Sequence, residues 1–523
     1  MARRIVALNA PLTLAGAVSA ALILVLTLGT LGAVAWRAEG AGMLGPAAWQ
    51  AVAFTVKQAA LSALISVALA VPVARALARR SFAGRRALVA LMGAPFILPV
   101  IVAVLGLVAV FGHSGFVNAG LRALGLPDFT IYGLQGILIA HVFFNLPLAT
   151  RLILQGWMAI PGEHFRLAAM LGFGPRDMFR VVEAPMLREI VPGALAVIFV
   201  ICTTSFAVAL ALGGGPAATT VELAIYQAFR FDFDLGAAAR LGLVQFAICA
   251  LAALAAIWVR VPRVHGGGLD RVVARHVPGG GLARGIDALA ILAAAVFLIL
   301  PLAVIVARGL GGVAELPASV WQAAGRSMIM AVAAAVLCMM LALPLAASAV
   351  RLRRGGAVAE IIGFLSIAAS PLVMGTGLYI VMFPLVNPVA WVLPITVVVN
   401  AAMALPFAMR ALVPAIAEVD QRFGPLVQSL AMGSWAGLRL VWWPRLRRPL
   451  GFSAGLAAAL SMGDLGVIAL FGAPDAATLP LQMYRLMAAY RLDDAAAAGV
   501  LLLGLSLGIF WLFDRGGRVD ADA

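Results

Sequence analysis

The chain has 523 residues, of which 64% are hydrophobic and only 11% charged, and its mean hydropathy is +1.07. Soluble proteins carry roughly 25% charged residues and could not bury this much apolar surface, so the composition excludes a soluble or a disordered chain and predicts an integral membrane protein. The 37 basic residues comprise one lysine, Lys57, and 36 arginines. A G-x-x-x-x-G-K-[ST] phosphate loop is therefore excluded, and any ATP-driven step must belong to another chain.

Apolar segments long enough to cross a bilayer as helices, about 20 residues each, recur along the chain. Because a helix satisfies its own backbone hydrogen bonds in lipid, these segments predict an all-α polytopic membrane protein. The twelve predicted spans cover residues 11–35, 50–74, 88–111, 132–156, 191–212, 236–259, 286–307, 321–349, 359–383, 388–413, 450–471 and 495–514.

The distribution of basic residues predicts how the spans are oriented. If both termini face the cytoplasm, 28 of the 37 basic residues lie in or next to inside segments and six lie in outside segments. Basic residues are enriched in cytoplasmic loops, so we expect a multi-pass protein of the bacterial inner membrane with both termini in the cytoplasm.

The second half of the chain repeats the first. Pro99 matches Pro371 at an offset of 272 residues, and Pro185 matches Pro444 at 259. Two homologous halves of six helices are therefore expected, in the same orientation and with a pathway between them. Further matched pairs are Trp49 with Trp321, and Tyr226 with Tyr484. The predicted divisions are a first half over residues 1–262 with its core at about 50–260, a Gly-rich cytoplasmic linker over 263–284, and a second half over 285–523 with its core at about 320–514.

A long inside loop lies between the fourth and fifth spans of each half. Residues 166–189 and 425–448 each have the pattern of a short helix, a turn, a second amphipathic helix and a proline at the start of the next span. Two loops of the same design predict a docking element for a partner on the cytoplasmic side.

Both loops resemble the ATPase-coupling loop of type I ABC importer permeases, in which a Glu-Ala-Ala triad precedes a glycine and, thirteen residues after the glycine, a proline. Gly172 and Pro185 keep this spacing in the first half. In the second half Pro444 is kept and Ala431 stands at the glycine position, so Gly433, two residues later, is expected to take the place of the glycine. The triad is changed in both halves. The candidate coupling residues are Arg166, Leu167, Ala168, Gly172, Pro185, Val427, Ala431, Gly433 and Pro444.

Residues 205–234 and 461–486 are similar to the corresponding parts of the thiamine and thiamine pyrophosphate importer permeases. This resemblance implies the type I importer transmembrane fold, a periplasmic thiamine-binding protein, and separate ATPase subunits, two by the count of coupling loops. It also implies that ATP and Mg²⁺ bind the ATPase, and that this chain carries no cofactor. A related ferric-iron permease group shares the layout of two fused halves, so ferric iron stays open as an alternative substrate.

The outer ends of the fifth and eleventh spans are the expected outer gate. Glycines end both spans, and the outside segments 216–235 and 473–494 are expected to receive the binding protein and close the pathway. Asp464, an acidic residue within a span, aligns with Ser205 and is a candidate for lining the pathway, or for pairing with Lys57 or Arg326. The candidate gate and pathway residues are Ser205, Asp464, Gly213, Gly214, Gly215, Glu222 and Gly472.

Covalent chemistry and metal binding are not expected of this chain. Its five histidines are dispersed and its three cysteines lack C-x-x-C spacing, so neither catalytic nor metal-binding residues are predicted. A proton-coupled carrier is a more distant alternative, since such carriers use intramembrane carboxylates in several helices and here only Asp464 lies clearly within a span.

Overall fold

The structure, a computed structural model, describes residues 14–39, 44–93, 97–258, 280–352, 355–367, 369–471 and 476–517. Within these ranges the regular structure is helical and no strand occurs. Eleven helices in the described ranges are long and apolar enough to span a membrane, and the count is twelve when the bent pair Gly356–Ile367 and Pro371–Met382 is taken as one span. The predicted all-α polytopic fold is confirmed.

The helices follow the predicted order. The first to sixth spans are Leu14–Ala38, Pro46–Arg79, Arg85–Leu91 with Val100–Phe111, Leu134–Ala159, Ala184–Thr203 with Phe206–Leu212, and Leu235–Trp258. The seventh to twelfth are Gly281–Gly309, Ala318–Arg351, Gly356–Phe364 with Pro371–Met382, Val392–Ser429, Trp443–Met462 with Gly466–Phe471, and Leu492–Gly517.

The seventh helix begins earlier than the sequence indicated. The predicted linker 263–284 lies largely outside the described residues, but Gly281 already starts the helix, so residues 281–284 belong to the span. Gly280 precedes it in an extended conformation, as expected of a residue that flanks a helix start.

In the described part of the chain four spans are broken, where the sequence predicted continuous or kinked helices. In the third and ninth spans the second segment begins directly after Pro99 or at Pro371, because proline fits the first helical turn but cannot continue a preceding helix. In the fifth and eleventh spans the breaks fall at 204–205 and 463–465. Broken helices are tolerated at membrane depth where they are buried in protein, and they are the usual location of transport pathways.

The two halves are interlocked by their first helices. The first span packs against the ninth, and the seventh packs against the third. Contact is so close that a Cβ placed on Gly377 would lie 2.5 Å from the backbone oxygen of Thr30, and one on Gly106 would lie 2.6 Å from that of Pro301. Gly106 and Gly377 are 271 residues apart, and so are their partners Thr30 and Pro301. The first helix of each half therefore packs against the other half in the same way.

Candidate coupling loops and outer gate

The first coupling loop turns at Gly172. The helix Gly162–Met170 is closed by two hydrogen bonds: Phe173 N–H donates to the Ala168 oxygen at 2.9 Å, and Gly172 N–H to the Ala169 oxygen at 3.1 Å. Gly172 has a φ of 67°. These bonds and this φ define a Schellman turn, in which the left-handed position favours glycine.

The second loop contains the same turn without the glycine. Met432 N–H donates to the Val427 oxygen at 3.1 Å and Ala431 N–H to the Gln428 oxygen at 3.1 Å. Ala431 has a φ of 49°, whereas Gly433 is not left-handed. The expectation that Gly433 substitutes for the missing glycine is therefore wrong: the register of the turn is kept, and Ala431 adopts the strained conformation.

The helix that leads into the turn differs between the halves. Pro161 interrupts the chain after Ala159 in the first half, and a separate short helix follows. The matched position in the second half is Asp420, which continues the helix, so the tenth span runs unbroken to Ser429.

Both loops expose large apolar side chains. Leu167 and Met170 are 56% and 85% exposed in the first loop, and Leu430 and Trp435 are 63% and 72% exposed in the second. Ala168, the last residue of the altered triad, is instead buried in the small core of the loop. Clustered exposed apolar groups on a loop outside the spans are typical of a surface that contacts another protein.

Each loop continues into its span as one helix. A π-helical segment, Met178–Glu183, leads directly into Ala184–Thr203, and Leu438–Trp442 leads into Trp443–Met462. Pro185 and Pro444 lie in the first turn of the α-helical part, as the sequence predicted. A displacement of the loop can therefore be transmitted to the fifth or eleventh span.

An ion-pair clamp ties the first loop to the second span. Glu183 is 2% exposed and accepts from Arg75 Nε at 2.8 Å and from Arg79 Nη2 at 2.7 Å. Arg75 also lies over the Phe179 ring of the loop, 5.5 Å from its centroid. A buried carboxylate that meets two arginines holds the loop in one position relative to the core.

The second loop has a clamp of different chemistry at matched positions. Arg351 corresponds to Arg79 at offset 272, and Trp442 corresponds to Glu183 at offset 259. The guanidinium of Arg351 lies 4.6 Å from the Trp442 ring centroid and 3.7 Å from Asp420 Oδ1. A cation–π contact thus replaces the buried ion pair.

The end of the fifth span, opposite the coupling loop, requires its glycines. Gly214 and Gly215 have φ of 69° and 135°, and a Cβ on Gly214 would lie 2.9 Å from that of Tyr132. A Cβ on Gly213 would lie 2.5 Å from the Ala209 oxygen. Gly472, predicted to end the eleventh span likewise, lies outside the described residues.

A cavity of about 370 Å³ lies beside these glycines. Its lining includes Tyr226 from the first half and Tyr484 from the second, the pair matched at offset 258. Tyr132 and Phe231 contribute further rings. Burial raises the pKa of Tyr226, and the positive charges of the nearby arginines of residues 230 and 485 partly offset this. The cavity is thus an aromatic site at the junction of the two halves.

Three aromatic rings close the same junction. Phe229 from the first half lies 4.7 Å from Tyr379 of the ninth span, and Tyr379 lies 5.7 Å from Phe471 at the end of the eleventh. These edge-on and tilted contacts join elements of both halves.

Glu222 is fully buried. The sequence assigned it to an outside segment expected to receive the binding protein, but its exposure is 0%, so it cannot belong to a docking surface in this conformation. Neither carboxyl oxygen meets a donor with hydrogen-bond geometry among the described residues, although Ser370 and Gln245 lie close enough to favour the charged form. Burial dominates and raises the pKa of Glu222 to about 8.

Asp464 lies at the break of the eleventh span. Its Oδ1 accepts from Gly466 N–H at 3.2 Å, while Oδ2 is buried without a partner among the described residues. Arg326 does not pair with it and donates instead to the Ala477 oxygen at 2.9 Å. Ser205 occupies the matching break of the fifth span, and its position opposite Asp464 across a pathway stays a prediction.

Sequence reasoning missed the Glu183 clamp and the role of the tyrosine pair. The repeat of Tyr226 at Tyr484 was visible, but only the fold shows that both copies line one cavity. No sequence pattern indicated the ion pairs of Glu183, because its arginine partners lie about a hundred residues away and the second half has Trp442 at the matched position.

The described residues form eleven spans, or twelve with the bent pair, in two interlocked halves. With a duplicated loop at one end and an aromatic junction at the other, they define a membrane permease of two fused halves. No protein-family model matches the chain. It is 41% identical over 477 residues to the thiamine transport system permease protein ThiP of Salmonella typhimurium, covering 89% of each chain. Identity is 40% over 479 residues to that of Escherichia coli, covering 89% of each chain, and 38% over 513 residues to that of Brucella abortus, covering 96% of this chain and 94% of the relative. The chain belongs to the family of thiamine transport system permeases.

Proposed function

We propose that this chain is the transmembrane subunit of an ATP-driven importer that carries thiamine or thiamine pyrophosphate from a periplasmic binding protein to the cytoplasm. The observation that carries the proposal is the pair of coupling loops, which repeat one Schellman turn and present exposed apolar side chains. Two copies of such a surface suit two copies of an ATPase subunit.

Energy would reach the pathway mechanically. ATP binding and hydrolysis on the partner move the loops, and each loop is continuous with the fifth or eleventh span. Those two spans carry the breaks at Ser205 and Asp464 and end at the outer junction. Closing the ATPase dimer would therefore open the junction outwards, and reopening the dimer would release substrate inwards. In this arrangement the coupling loops and both termini face the cytoplasm.

The outer cavity suits the chemistry of thiamine. Thiamine has two heteroaromatic rings, one of them a cationic thiazolium, and aromatic side chains bind both flat rings and organic cations. Tyr226 and Tyr484 supply such rings from both halves. The positive charge that acts on Tyr226 would suit the phosphates of thiamine pyrophosphate.

Docking of the ATPase can be tested on the loops. Met170→Glu and Trp435→Glu place a charge on each apolar surface, and we expect both to reduce copurification of the ATPase subunit and thiamine uptake. Leu124→Glu is the control, because Leu124 is 75% exposed but lies outside both loops. Unchanged copurification in the double variant would contradict docking at these surfaces.

Passage through the cavity can be tested separately. Tyr226→Ala with Tyr484→Ala is expected to lower thiamine uptake about ten-fold or more, because each ring contributes about 1 kcal/mol of contact. Tyr490→Ala is the control, since Tyr490 is 90% exposed and does not line the cavity. Full uptake by the double variant, with the ATPase still bound, would exclude the cavity from the pathway.

A further inference from the structure

A second cavity among the described residues lies away from the outer gate. It has a volume of about 670 Å³ and lies between the tenth, eleventh and twelfth spans, on the side of the coupling loops. All of its lining residues belong to the second half. It is therefore a feature of that half alone and does not lie between the two halves.

Three arginines dominate the charge of this cavity. Arg422 lies near the end of the tenth span, and Arg445 and Arg448 lie in the first turns of the eleventh. Two carboxylates, Glu418 and Asp514, also line it, so the basic groups are in excess by one. This balance suits a ligand with a single negative charge, such as a phosphodiester.

An aromatic ring positions two of the guanidinium groups. Arg445 lies 3.8 Å from the centroid of Phe423, and Arg422 lies 5.6 Å from it. Arg445 Nη1 also donates to the Val441 oxygen at 2.9 Å. Guanidinium groups held by stacking lose little freedom when they bind an anion.

The rest of the lining is apolar and runs towards the membrane interior. Ala411, Ala415 and Val419 lie one helical turn apart on one face of the tenth span, and Phe452 faces them from the eleventh. Phe452 is 43% exposed. An apolar groove that opens beneath a basic rim matches an acyl chain beneath a head group, which a soluble anion does not need.

The first half does not repeat the arginines. At the matched offset of 259, Arg422, Arg445 and Arg448 correspond to Glu163, Met186 and Glu189. Inheritance from the ancestral repeat therefore does not explain the basic cluster, which is specific to one half.

We propose that this cavity binds an anionic phospholipid, with its phosphodiester on Arg422, Arg445 and Arg448 and an acyl chain along Ala411, Ala415 and Phe452. The site does not depend on which substrate the permease carries. It would fix the ends of three spans next to the second coupling loop, where the clamp lacks the buried ion pair of the first.

The test is lipid retention by the purified full-length chain, measured by native mass spectrometry with phosphatidylglycerol or phosphatidylcholine of identical acyl chains. We expect the wild type to retain phosphatidylglycerol preferentially, and Arg422→Gln with Arg448→Gln to lower that retention about ten-fold. Arg176→Gln with Arg180→Gln is the charge-matched control on the exposed first loop and is expected to retain the lipid. Equal retention of both lipids by the wild type, or equal loss in both double variants, would overturn the proposal.

A second variant separates a lipid from a soluble anion. Ala415→Phe fills the apolar groove and leaves the arginines in place, so it is expected to abolish preferential retention of phosphatidylglycerol. Inorganic pyrophosphate at millimolar concentration is expected not to displace the lipid from the wild type. Displacement by pyrophosphate would assign the arginines to a soluble phosphate, and unchanged preferential retention by Ala415→Phe would show that no acyl chain lies in the groove; either result would overturn the proposed site.

Discussion

Ala431 has the left-handed backbone conformation that Gly172 has 259 residues earlier, with φ of 49° against 67°. Both residues close a coupling-loop helix through the same two hydrogen bonds. The turn is thus preserved by its bonds and by the packing around it, although one copy has lost the residue that fits it without strain.

Replacing Ala431 with glycine should therefore stabilise the second loop. An alanine in the left-handed region costs about 1–2 kcal/mol of strain, which glycine would relieve. Because glycine also gives the unfolded chain more conformational freedom, we expect a net stabilisation of about 0.5–1 kcal/mol. Gly172→Ala should destabilise the first loop by a similar amount. Hydrogen exchange of the two loops in the purified chain measures both effects.

Gly433→Ala is the control for this pair, because Gly433 is not left-handed and a Cβ there meets no atom within 4 Å. Its exchange rates should hardly change. If Ala431→Gly accelerates exchange in the second loop, left-handed strain at Ala431 does not govern the stability of the turn.

Breaking the clamp of the first loop should cost more than breaking that of the second. Glu183→Gln removes a buried charge and leaves Arg75 and Arg79 without their carboxylate partner. We expect the free energy of unfolding to fall by about 3 kcal/mol. Trp442→Leu removes a cation–π contact of about 1 kcal/mol. Thermal unfolding of the two variants in one detergent gives the comparison, and a larger loss for Trp442→Leu would refute the ranking.

The interlock of the halves should fail at two matched glycines. Gly106→Ala and Gly377→Ala each place a Cβ within 2.6 Å of a backbone oxygen of the other half, so the helices must separate. We expect each to lower the unfolding temperature and the yield of folded chain. Gly32→Ala is the control, because Gly32 lies on the first span where a Cβ meets nothing within 4 Å. This variant should fold as well as the wild type.

Glu222 should make stability depend on pH. The folded chain keeps this carboxyl protonated up to about pH 8, because burial raises its pKa, while the unfolded chain releases the proton near 4.5. The folded state therefore binds more protons between these values, and its stability falls as the pH rises from about 4.5 to about 8 and no further above.

Glu222→Gln should remove this dependence. The unfolding temperature of the variant relative to wild type is expected to rise between pH 5 and 8 and to level off above, with an effect on the order of a few kcal/mol. Asp232→Asn, an exposed carboxylate on the same segment, is the control. A constant difference across this range would mean that Glu222 is not protonated in the folded chain.

Much of the fold was predictable because bilayer thickness and the distribution of arginines impose strong patterns on sequence. The twelve spans and the matched positions of the two halves followed from those patterns. The breaks at Thr204 and Gly463 did not, because the few polar residues beside them, such as Ser205 and Asp464, lie within long apolar runs and do not by themselves mark the end of a helix. The packing of each first helix against the other half could not be predicted either. Gly106 and Gly377 are required by close contacts with Pro301 and Thr30, and only the fold shows these contacts.

The coupling loops were located from Gly172, Pro185 and Pro444, which keep a fixed spacing. The burial of Glu222 could not be anticipated, since a carboxylate in a polar loop normally indicates solvent. Tertiary packing against Ser370 and Gln245, residues far away in sequence, decides its environment.

The most direct measurement is uptake of labelled thiamine at nanomolar concentration in cells that carry the binding protein and the ATPase, with and without this chain. Excess thiamine pyrophosphate and ferric iron serve as separate competitors. Thiamine uptake that requires the chain, and that falls with thiamine pyrophosphate but not with iron, is the predicted result. Thiamine uptake that is independent of the chain, together with iron accumulation that requires it, would contradict the proposed substrate.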